Sequence, residues 1–438
     1  MSELKFFLER LNEIVGEDDV DRDIAKTQQV VKEINEFLFN TTEDLGYIHE
    51  LGIDYKYFSP WHKFWLENYQ EILDLRIDDD KCNKVADELH RVYLITGGRA
   101  FTEVYDTCGL TNDAVCKIRF LTANQDFSGS REFNKLADIY KKDPEVFSIE
   151  SIIENPEQFI NKIEVVGLSQ NDKRTLYAKE IAKFFKDHGC EPIDVIDAYD
   201  GDVVALKNDL TTRGRGFAEK KANMVIRDMY VHGIWTNISR FEEIDVPSDI
   251  NTVKVALRTG ILTSAIPLIS SFLDIFSPQY AIVDRMNANA WKRVWEIWNE
   301  KFPNEAIPSP CMLDYFVYRT VGREFCKPNL YTYTCENGHK LKWHNGQKRK
   351  CPECGGKFVQ KTRCLPCMDK DGYMVIQNTN FYKSGFAKSN IDSCPFQDIC
   401  VETNKRNLQP PKSISIRQST GWETAYTKKG DGGGGLMA

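Results

Sequence analysis

The chain has 438 residues, of which 42% are hydrophobic, so it is long enough to form two or three domains with cores of their own. Its formal net charge is −8. Nothing resembles a signal peptide, and no apolar run reaches the roughly 20 residues that a membrane-spanning helix needs, so we expect a soluble, cytoplasmic protein without a membrane partner.

Positive charge is concentrated towards the C-terminus. Residues 321–438 contain 19 Lys and Arg against 10 Asp and Glu, a net charge of +9. Because the whole chain carries −8, the first 320 residues carry −17. A basic segment attached to an acidic body predicts a localised surface that binds a polyanion.

The first 150 residues show helical periodicity. The stretches "DIAKTQQVVKEINEFLF" and "CNKVADELHRVYLI" place apolar residues at i, i+3, i+4 and i+7. We therefore predict a helical N-terminal region over 1–150.

Helical signals continue up to about residue 327. The stretch "LYAKEIAKFFKDHG" ends at a glycine, which is typical of a helix end. Trp291, Trp295 and Trp298 follow helical spacing, which favours core packing over stacking against nucleic acid. No long alternating strand pattern occurs before residue 330, so we predict a mostly α protein.

The segment "RGRGFAEKKANMVIRDM" (213–229) combines a glycine turn with a following helix. Such a turn can present backbone N–H groups and a helix N-terminus to a DNA phosphate. The turn contains Arg213, Gly214, Arg215 and Gly216, which we predict to contact the DNA backbone.

This segment and the later "VPSDINTVKVALRTGI" resemble the helix-hairpin-helix (HhH-GPD) DNA glycosylases over about residues 205–326. "KKAN" is similar to the lysine segment of the endonuclease III family. The wider spacing between the lysine pair and the following aspartate, together with "VPSDINTVKV", looks more like the archaeal 8-oxoguanine DNA glycosylases. The resemblance implies a helical HhH-GPD glycosylase core over 151–327, with a catalytic lysine in the second hairpin helix and Asp249 as the catalytic aspartate.

Two lysines compete for the catalytic role. Alignment of "KKAN" with the endonuclease III family selects Lys220, which is our first choice. Alignment with the archaeal family, anchored at Met229, selects Lys221 instead. Asp284, in "YAIVDRMNANAWKR", is a rival to Asp249 but lies too far along the chain from the hairpin. The plainer alternatives are two solvated lysines that contact phosphate and an aspartate that only caps a helix.

The resemblance implies a bifunctional glycosylase and AP lyase. A partly desolvated lysine has a lowered pKa, so its neutral amine can attack C1′ of a flipped nucleoside and form a Schiff base before β-elimination. The implied partner is double-stranded DNA with a damaged or modified base, and 8-oxoguanine is favoured. A modified base in foreign DNA, a non-catalytic DNA-binding module and a zinc-ribbon protein that acts on RNA are alternatives.

Eight of the 13 cysteines fall between residues 326 and 400, and their paired spacing favours metal binding over disulfides. We predict a cysteine-rich metal-binding module over 328–404, followed by a flexible tail over 405–438. Within it, residues 331–360 predict a zinc ribbon, because Cys-x3-His and Cys-x2-Cys form two knuckles. Its predicted Zn²⁺ ligands are Cys335, His339, Cys351 and Cys354. A competing assignment pairs the second knuckle with Cys364 and Cys367.

The segments "GREFC" and "DSCPFQDIC" resemble the two ends of the iron–sulfur loop of the endonuclease III and adenine-glycosylase families. The resemblance implies a 4Fe-4S cluster loop over 361–402, for which thiolates are suitable donors. Position 391 is Ile where that family has its second ligand. The four ligands are therefore drawn from five candidates, Cys326, Cys364, Cys367, Cys394 and Cys400.

The stretch "KLKWHNGQKRK" (340–350) is the best candidate within the module for contact with the DNA backbone, because it interleaves basic and aromatic residues. The alternative is a solubilising ribbon hairpin. The residues predicted to contact DNA are Lys342, Trp343, Lys348, Arg349 and Lys350.

Overall fold

The computed structural model confirms a mostly helical protein. It describes residues 3–15, 33, 45–50, 53–58, 71, 74–127, 131–168, 170–212, 214–264, 281–325, 330–344, 350–351, 353–364, 367–368, 374–375, 394–396 and 398–400.

The α-helices are α1 (Glu3–Val15), α2 (Asp79–Thr96), α3 (Arg99–Thr102), α4 (Asn112–Ala123), α5 (Phe133–Lys142), α6 (Ile149–Glu154), α7 (Pro156–Lys162), α8 (Asn171–His188), α9 (Val203–Leu210), α10 (Glu219–Val231), α11 (Ile250–Thr259) and α12 (Ala281–Lys301). Short 3-10 helices occupy Pro144–Phe147, Val166–Leu168, Val195–Tyr199, Phe241–Glu243, Pro303–Glu305 and Pro310–Leu313, and a π-helix spans Tyr315–Phe325.

The strands are β1 (Leu45–Glu50), β2 (Ile53–Phe58), β3 (Arg76–Ile77), β4 (Leu262–Thr263), β5 (Leu330–Cys335), β6 (Lys340–His344), β7 (Phe358–Cys364), β8 (Cys367–Met368) and β9 (Met374–Val375). They form antiparallel pairs β1–β2, β3–β4 and β8–β9 and a three-stranded sheet in the order β6-β5-β7. The β1–β2 hairpin was not predicted, because the N-terminal region was expected to be helical.

The chain divides into two compact units. The first is formed mainly from Met1–Ala100, Ser248–Pro303 and Tyr315–Leu436, and the second from Phe101–Pro247 and Asn304–Asp314. The division places the hairpin helix α10 in the second unit and α11, the next α-helix along the chain, in the first.

In the first unit, α2 packs along α12 and α11 packs on the π-helix. Asp78 caps the start of α2, since its carboxylate accepts a hydrogen bond from the Lys81 amide at 3.0 Å, and Gly97 caps its end in the left-handed conformation. Trp291 and Trp298 of α12 are fully buried and Trp295 is partly buried, which agrees with the predicted core role for the first two.

The second unit is a helical bundle around a single hydrophobic core. At its centre, the buried Asp228 of α10 accepts hydrogen bonds from Arg119 of α4 at 2.9 Å and from the neighbouring Arg227 at 2.7 Å. Arg227 also forms an ion pair with Asp314. Burial by itself would raise the pKa of Asp228, but the charges of Arg227 and Arg119 outweigh it and hold the pKa below its usual value.

We expect Asp228→Asn to destabilise the fold by about 3 kcal/mol or more, because it leaves two buried guanidinium groups without their shared carboxylate. Urea-induced unfolding at neutral pH measures this change. Asp187→Asn, at an exposed position of α8, is the matched control and should change the free energy of unfolding by less than about 0.5 kcal/mol. Equal stability of the two variants would contradict the assigned role of Asp228.

Candidate functional site

A glycine turn joins α9 to α10, as the sequence predicts. Gly214 (φ 105°) and Gly216 (φ 72°) both adopt positive φ values, which favour glycine. A Cβ atom on Gly216 would lie 2.5 Å from the ring of Tyr177, so no larger residue fits without a shift of that ring. Arg213, the first basic residue predicted to contact DNA, lies outside the described residues.

Arg215 holds the turn in place. Its Nη1 atom lies 2.6 Å from Oδ1 of Asp209 at the end of α9, and its guanidinium lies 4.6 Å from the ring centre of Phe184. Its backbone carbonyl accepts a hydrogen bond from the Asn124 side chain at 3.0 Å. The Arg215 guanidinium is therefore paired within the protein, and its contacts hold the hairpin in place.

The two candidate lysines have different environments on α10. Lys220 is exposed. Lys221 is partly buried, and its Nζ atom donates hydrogen bonds to the carbonyl oxygens of Gly216 at 3.1 Å and Asn124 at 3.3 Å. The ammonium also lies 5.2 Å from the ring centre of Phe127.

Burial lowers the pKa of Lys221 to about 8, and the nearby charges of Lys220 and Arg174 act in the same direction, whereas Asp126 opposes the shift. About a tenth of the Lys221 side chains is then neutral at pH 7, against fewer than one in a thousand for an ordinary lysine. This arrangement supplies a nucleophilic amine near neutral pH.

Asp249 is the N-cap residue of α11. Its Oδ1 atom accepts hydrogen bonds from the amides of Asn251 at 2.8 Å and Thr252 at 2.9 Å. Its Oδ2 atom accepts a hydrogen bond from the Asn251 side chain at 3.0 Å, and Thr252 completes a capping box. The carboxylate is therefore held in one orientation at a helix N-terminus.

The rival aspartate, Asp284, lies close to this cap. Its Oδ1 atom accepts a hydrogen bond from Ser248 Oγ at 2.9 Å, and Ser248 immediately precedes Asp249. The buried Asn287 donates to Ser248 Oγ at 2.8 Å and to the Thr252 hydroxyl at 3.0 Å. The first compact unit thus brings both predicted aspartates into one hydrogen-bonded cluster, whereas both lysines belong to the second unit.

Sequence reasoning did not identify four residues around Lys221, namely Asn124, Asp126, Phe127 and Arg174. The first three form the turn after α4, and the fourth lies on α8. Their distance in sequence from Lys221 explains the omission. The sequence carries no signal for them, because polar residues such as Asn124 and Gln125 at the end of an apolar helix ordinarily face solvent, and only the structure shows that both are buried.

A candidate metal centre lies in the C-terminal module. The sequence predicts four ligands, and the structure brings their donor atoms within 4.8 Å of one another: Cys335, His339, Cys351 and Cys354. Cys335 ends β5, and a turn closed by Gly338 (φ 81°) carries the chain back to His339. The second cysteine pair lies in a turn with Gly355 at φ 69°.

Two of the separations between these donors match the edges of a tetrahedral site. The sulfur atoms of Cys335 and Cys354 are 3.8 Å apart, and Cys351 Sγ lies 3.7 Å from His339 Nδ1. A tetrahedron with metal–sulfur bonds of about 2.3 Å has edges of about 3.8 Å. The group can therefore hold a metal ion, and three thiolates with one imidazole are a donor set typical of zinc.

The predicted cluster cysteines are only partly described. Cys326 lies outside the described residues, and Cys364 and Cys367 are placed in β7 and β8 as backbone positions. Cys394 and Cys400 are partly buried on either side of the buried Phe396, and the Cys400 amide donates to the Phe396 carbonyl at 2.8 Å. The iron–sulfur assignment stays a prediction.

The basic stretch after the first knuckle forms β6 and the segment that follows it. Lys342 pairs with Thr332 and Trp343 with Tyr331 in the β5–β6 register. Lys350 is exposed and forms an isolated bridge with Lys357. Lys348 and Arg349 lie outside the described residues.

Comparison with known proteins gives no relative. No protein-family model, curated protein or solved structure matches the chain. Within the part of the chain that the structure describes, no helix is both long and apolar enough to cross a membrane.

We expect the purified chain to hold zinc at the Cys335–His339–Cys351–Cys354 group. Elemental analysis should show that Cys335→Ser, in the first knuckle, and Cys354→Ser, in the second, each lose this zinc, because a structural site needs all four donors. Cys190→Ser, which changes a cysteine of the helical bundle, should retain it. Zinc that survives both knuckle variants would contradict the assignment.

Proposed function

We propose that the chain is a DNA glycosylase with AP lyase activity that excises a damaged or modified base from double-stranded DNA. The observation that carries the proposal is Lys221, a partly buried amine with a pKa near 8 at the start of the helix behind a glycine hairpin. A lysine that only contacted phosphate would gain nothing from a lowered pKa, because its positive charge would be the attracting group.

Lys221 is the proposed nucleophile, in preference to Lys220. The neutral amine attacks C1′ of the flipped nucleoside, the glycosidic bond breaks and a Schiff base forms, after which β-elimination cleaves the strand. Lys220 is exposed at the same helix N-terminus and is suited to contact with a phosphate.

The sequence resemblance assigns a catalytic role to Asp249, and that role stays a prediction for the first compact unit. The proposed substrate is 8-oxoguanine, on the strength of the sequence resemblance, with a modified base of foreign DNA as the alternative.

The metal-binding module has a proposed structural role in DNA binding. Zinc at the Cys3His group would fix the ribbon, and a 4Fe-4S cluster would order the loop that ends at Cys400. The basic residues of 340–350 would then contact phosphates.

A DNA-binding module without catalysis is the second candidate. One observation favours it: the hydrogen bonds of Asp249 are those of an ordinary helix cap, which needs no chemical role. In that case the protein would bind DNA but release no base and form no covalent adduct.

Borohydride trapping on duplexes with single lesions tests the proposal. We expect wild type and Lys220→Gln to form an adduct and Lys221→Gln to form none. The trapping rate of wild type should rise about tenfold per pH unit below pH 8 and level off above it, because only the neutral amine attacks. The profile of Lys220→Gln should move to higher pH, since the Lys220 charge helps to lower the pKa of Lys221.

Adduct formation by Lys221→Gln, with loss of the adduct in Lys220→Gln, would reverse the assignment. DNA binding without any adduct or free base, on every lesion tested, would instead favour the non-catalytic module.

A further inference from the structure

The Lys221 amine donates to two backbone carbonyls that belong to different segments of the chain. One is the carbonyl of Gly216, in the glycine turn before α10, at 3.1 Å, and the other is that of Asn124, in the turn after α4, at 3.3 Å. The ring centre of Phe127 lies 5.2 Å from the same Nζ atom. The position of the amine therefore depends on how these two turns lie relative to each other.

The Asn124 side chain links the two turns. It is fully buried, and its Nδ2 atom donates to the carbonyls of Tyr177 at 2.8 Å and Arg215 at 3.0 Å. Arg215 directly precedes Gly216. Asn124 thus offers one acceptor to Lys221 through its backbone and, through its side chain, fixes the segment that carries the other acceptor.

The amide group of Asn124 is itself held in one orientation. Its Oδ1 atom accepts a hydrogen bond from Gln125 Nε2 at 3.0 Å, and the same Nε2 atom donates to the Arg174 carbonyl at 3.2 Å. Both N–H bonds of Asn124 are donated and its oxygen is occupied, so this buried amide is satisfied. A satisfied buried network of this kind makes the surrounding structure rigid.

A charged donor fixes the turn after α4 from the other side. Arg174 of α8 is fully buried and donates to the carbonyls of Gln125 and Phe127, both at 2.6 Å. Its guanidinium also lies 4.2 Å from the Phe127 ring centre. Hydrogen bonds from a charged donor are stronger than neutral ones, so the turn keeps its position before any substrate binds.

Two fixed acceptors determine where the lone pair of the neutral amine lies. A lysine ammonium has three N–H bonds, whereas the neutral amine has two N–H bonds and one lone pair. When the two N–H bonds point to the carbonyls of Gly216 and Asn124, the lone pair takes the remaining tetrahedral direction. Rotation about the Cε–Nζ bond would break at least one hydrogen bond, so this direction is favoured.

We propose that Asn124 is the positioning residue for the Lys221 amine, because it holds both carbonyl acceptors in place and the acceptors orient the lone pair. The inference rests on the proposed glycosylase function and deepens it, since attack requires the lone pair to point at C1′. Misplacement of a reacting group by about 1 Å can slow a reaction by about 100-fold. The buried side chain of Asn124 acts through Lys221 and does not contact the substrate.

The first measurement needs no DNA. Carbon NMR relaxation of a chain labelled at lysine Cε gives an order parameter for each lysine side chain, and Lys220→Gln and Lys221→Gln assign the two signals. We expect the wild-type value for Lys221 to approach that of ordered backbone, about 0.85, and that for Lys220 to lie below about 0.6. Asn124→Leu has a similar volume without hydrogen-bonding groups, so it should lower the Lys221 value towards that of Lys220.

Borohydride trapping under single-turnover conditions measures the consequence for the reaction. On the level part of each pH profile, where the amine is neutral, Asn124→Leu should lower the maximal trapping rate by about 100-fold. The DNA concentration that gives half of this rate should stay the same, because the Asn124 side chain is buried away from the DNA. Partial unfolding would instead reduce the amount of adduct and leave its rate of formation unchanged.

Two further variants serve as controls. Asn161 of α7 also donates through its side chain to a carbonyl, that of Glu157 at 2.9 Å, but at an exposed position. Asn161→Ala should therefore leave the order parameter and the trapping rate unchanged. Asn124→Ser keeps a single O–H donor and should slow trapping by about tenfold, which covers the case in which Asn124→Leu fails to fold.

A Lys221 side chain as mobile as that of Lys220 in wild type would overturn the inference. An unchanged order parameter or an unchanged maximal rate in a folded Asn124 variant would also overturn it. Failure of the proposed function has a different signature, in which wild type traps no DNA. The order parameters of wild type and Asn124→Leu then still decide whether Asn124 positions the amine.

Discussion

The ion pair between Arg119 and Asp228 fixes how α4 lies against α10, and the surroundings of Lys221 depend on that fit. Asp228 of α10 accepts a hydrogen bond from Arg119 of α4 inside the core, so this pair fastens the two helices at one point. Lys221 lies seven residues before Asp228, and the turn at the end of α4 begins five residues after Arg119. The pair therefore sets the distance between the Lys221 amine and its two neighbours in that turn, the Asn124 carbonyl and the Phe127 ring.

Features encoded by short-range spacing could be predicted from the sequence. The Cys3His group depends on two knuckles, each closed within five residues, and the structure brings all four donors together. The mostly helical body follows from apolar periodicity, and the buried Trp291 and Trp298 agree with it. The glycine hairpin before α10 also depends on local geometry, since Gly214 and Gly216 adopt positive φ values.

Features that depend on distant contacts could not be predicted. Lys220 and Lys221 are neighbours in sequence, and only the packing of α10 leaves one exposed and lowers the pKa of the other. Asn124 lies 97 residues from Lys221 and has no local signature of its role. The β1–β2 hairpin could not be predicted for another reason, because "LGYIHELGIDYKYF" lies between stretches of helical periodicity.

The central claim is that Lys221 supplies the amine of a glycosylase and lyase reaction. Its most direct test is peptide mass spectrometry of the borohydride-reduced adduct between the wild-type chain and lesion-containing DNA, which identifies the modified side chain without any substitution. The account predicts a sugar remnant on Lys221. A remnant on Lys220, on the N-terminal amine or on another lysine would contradict it.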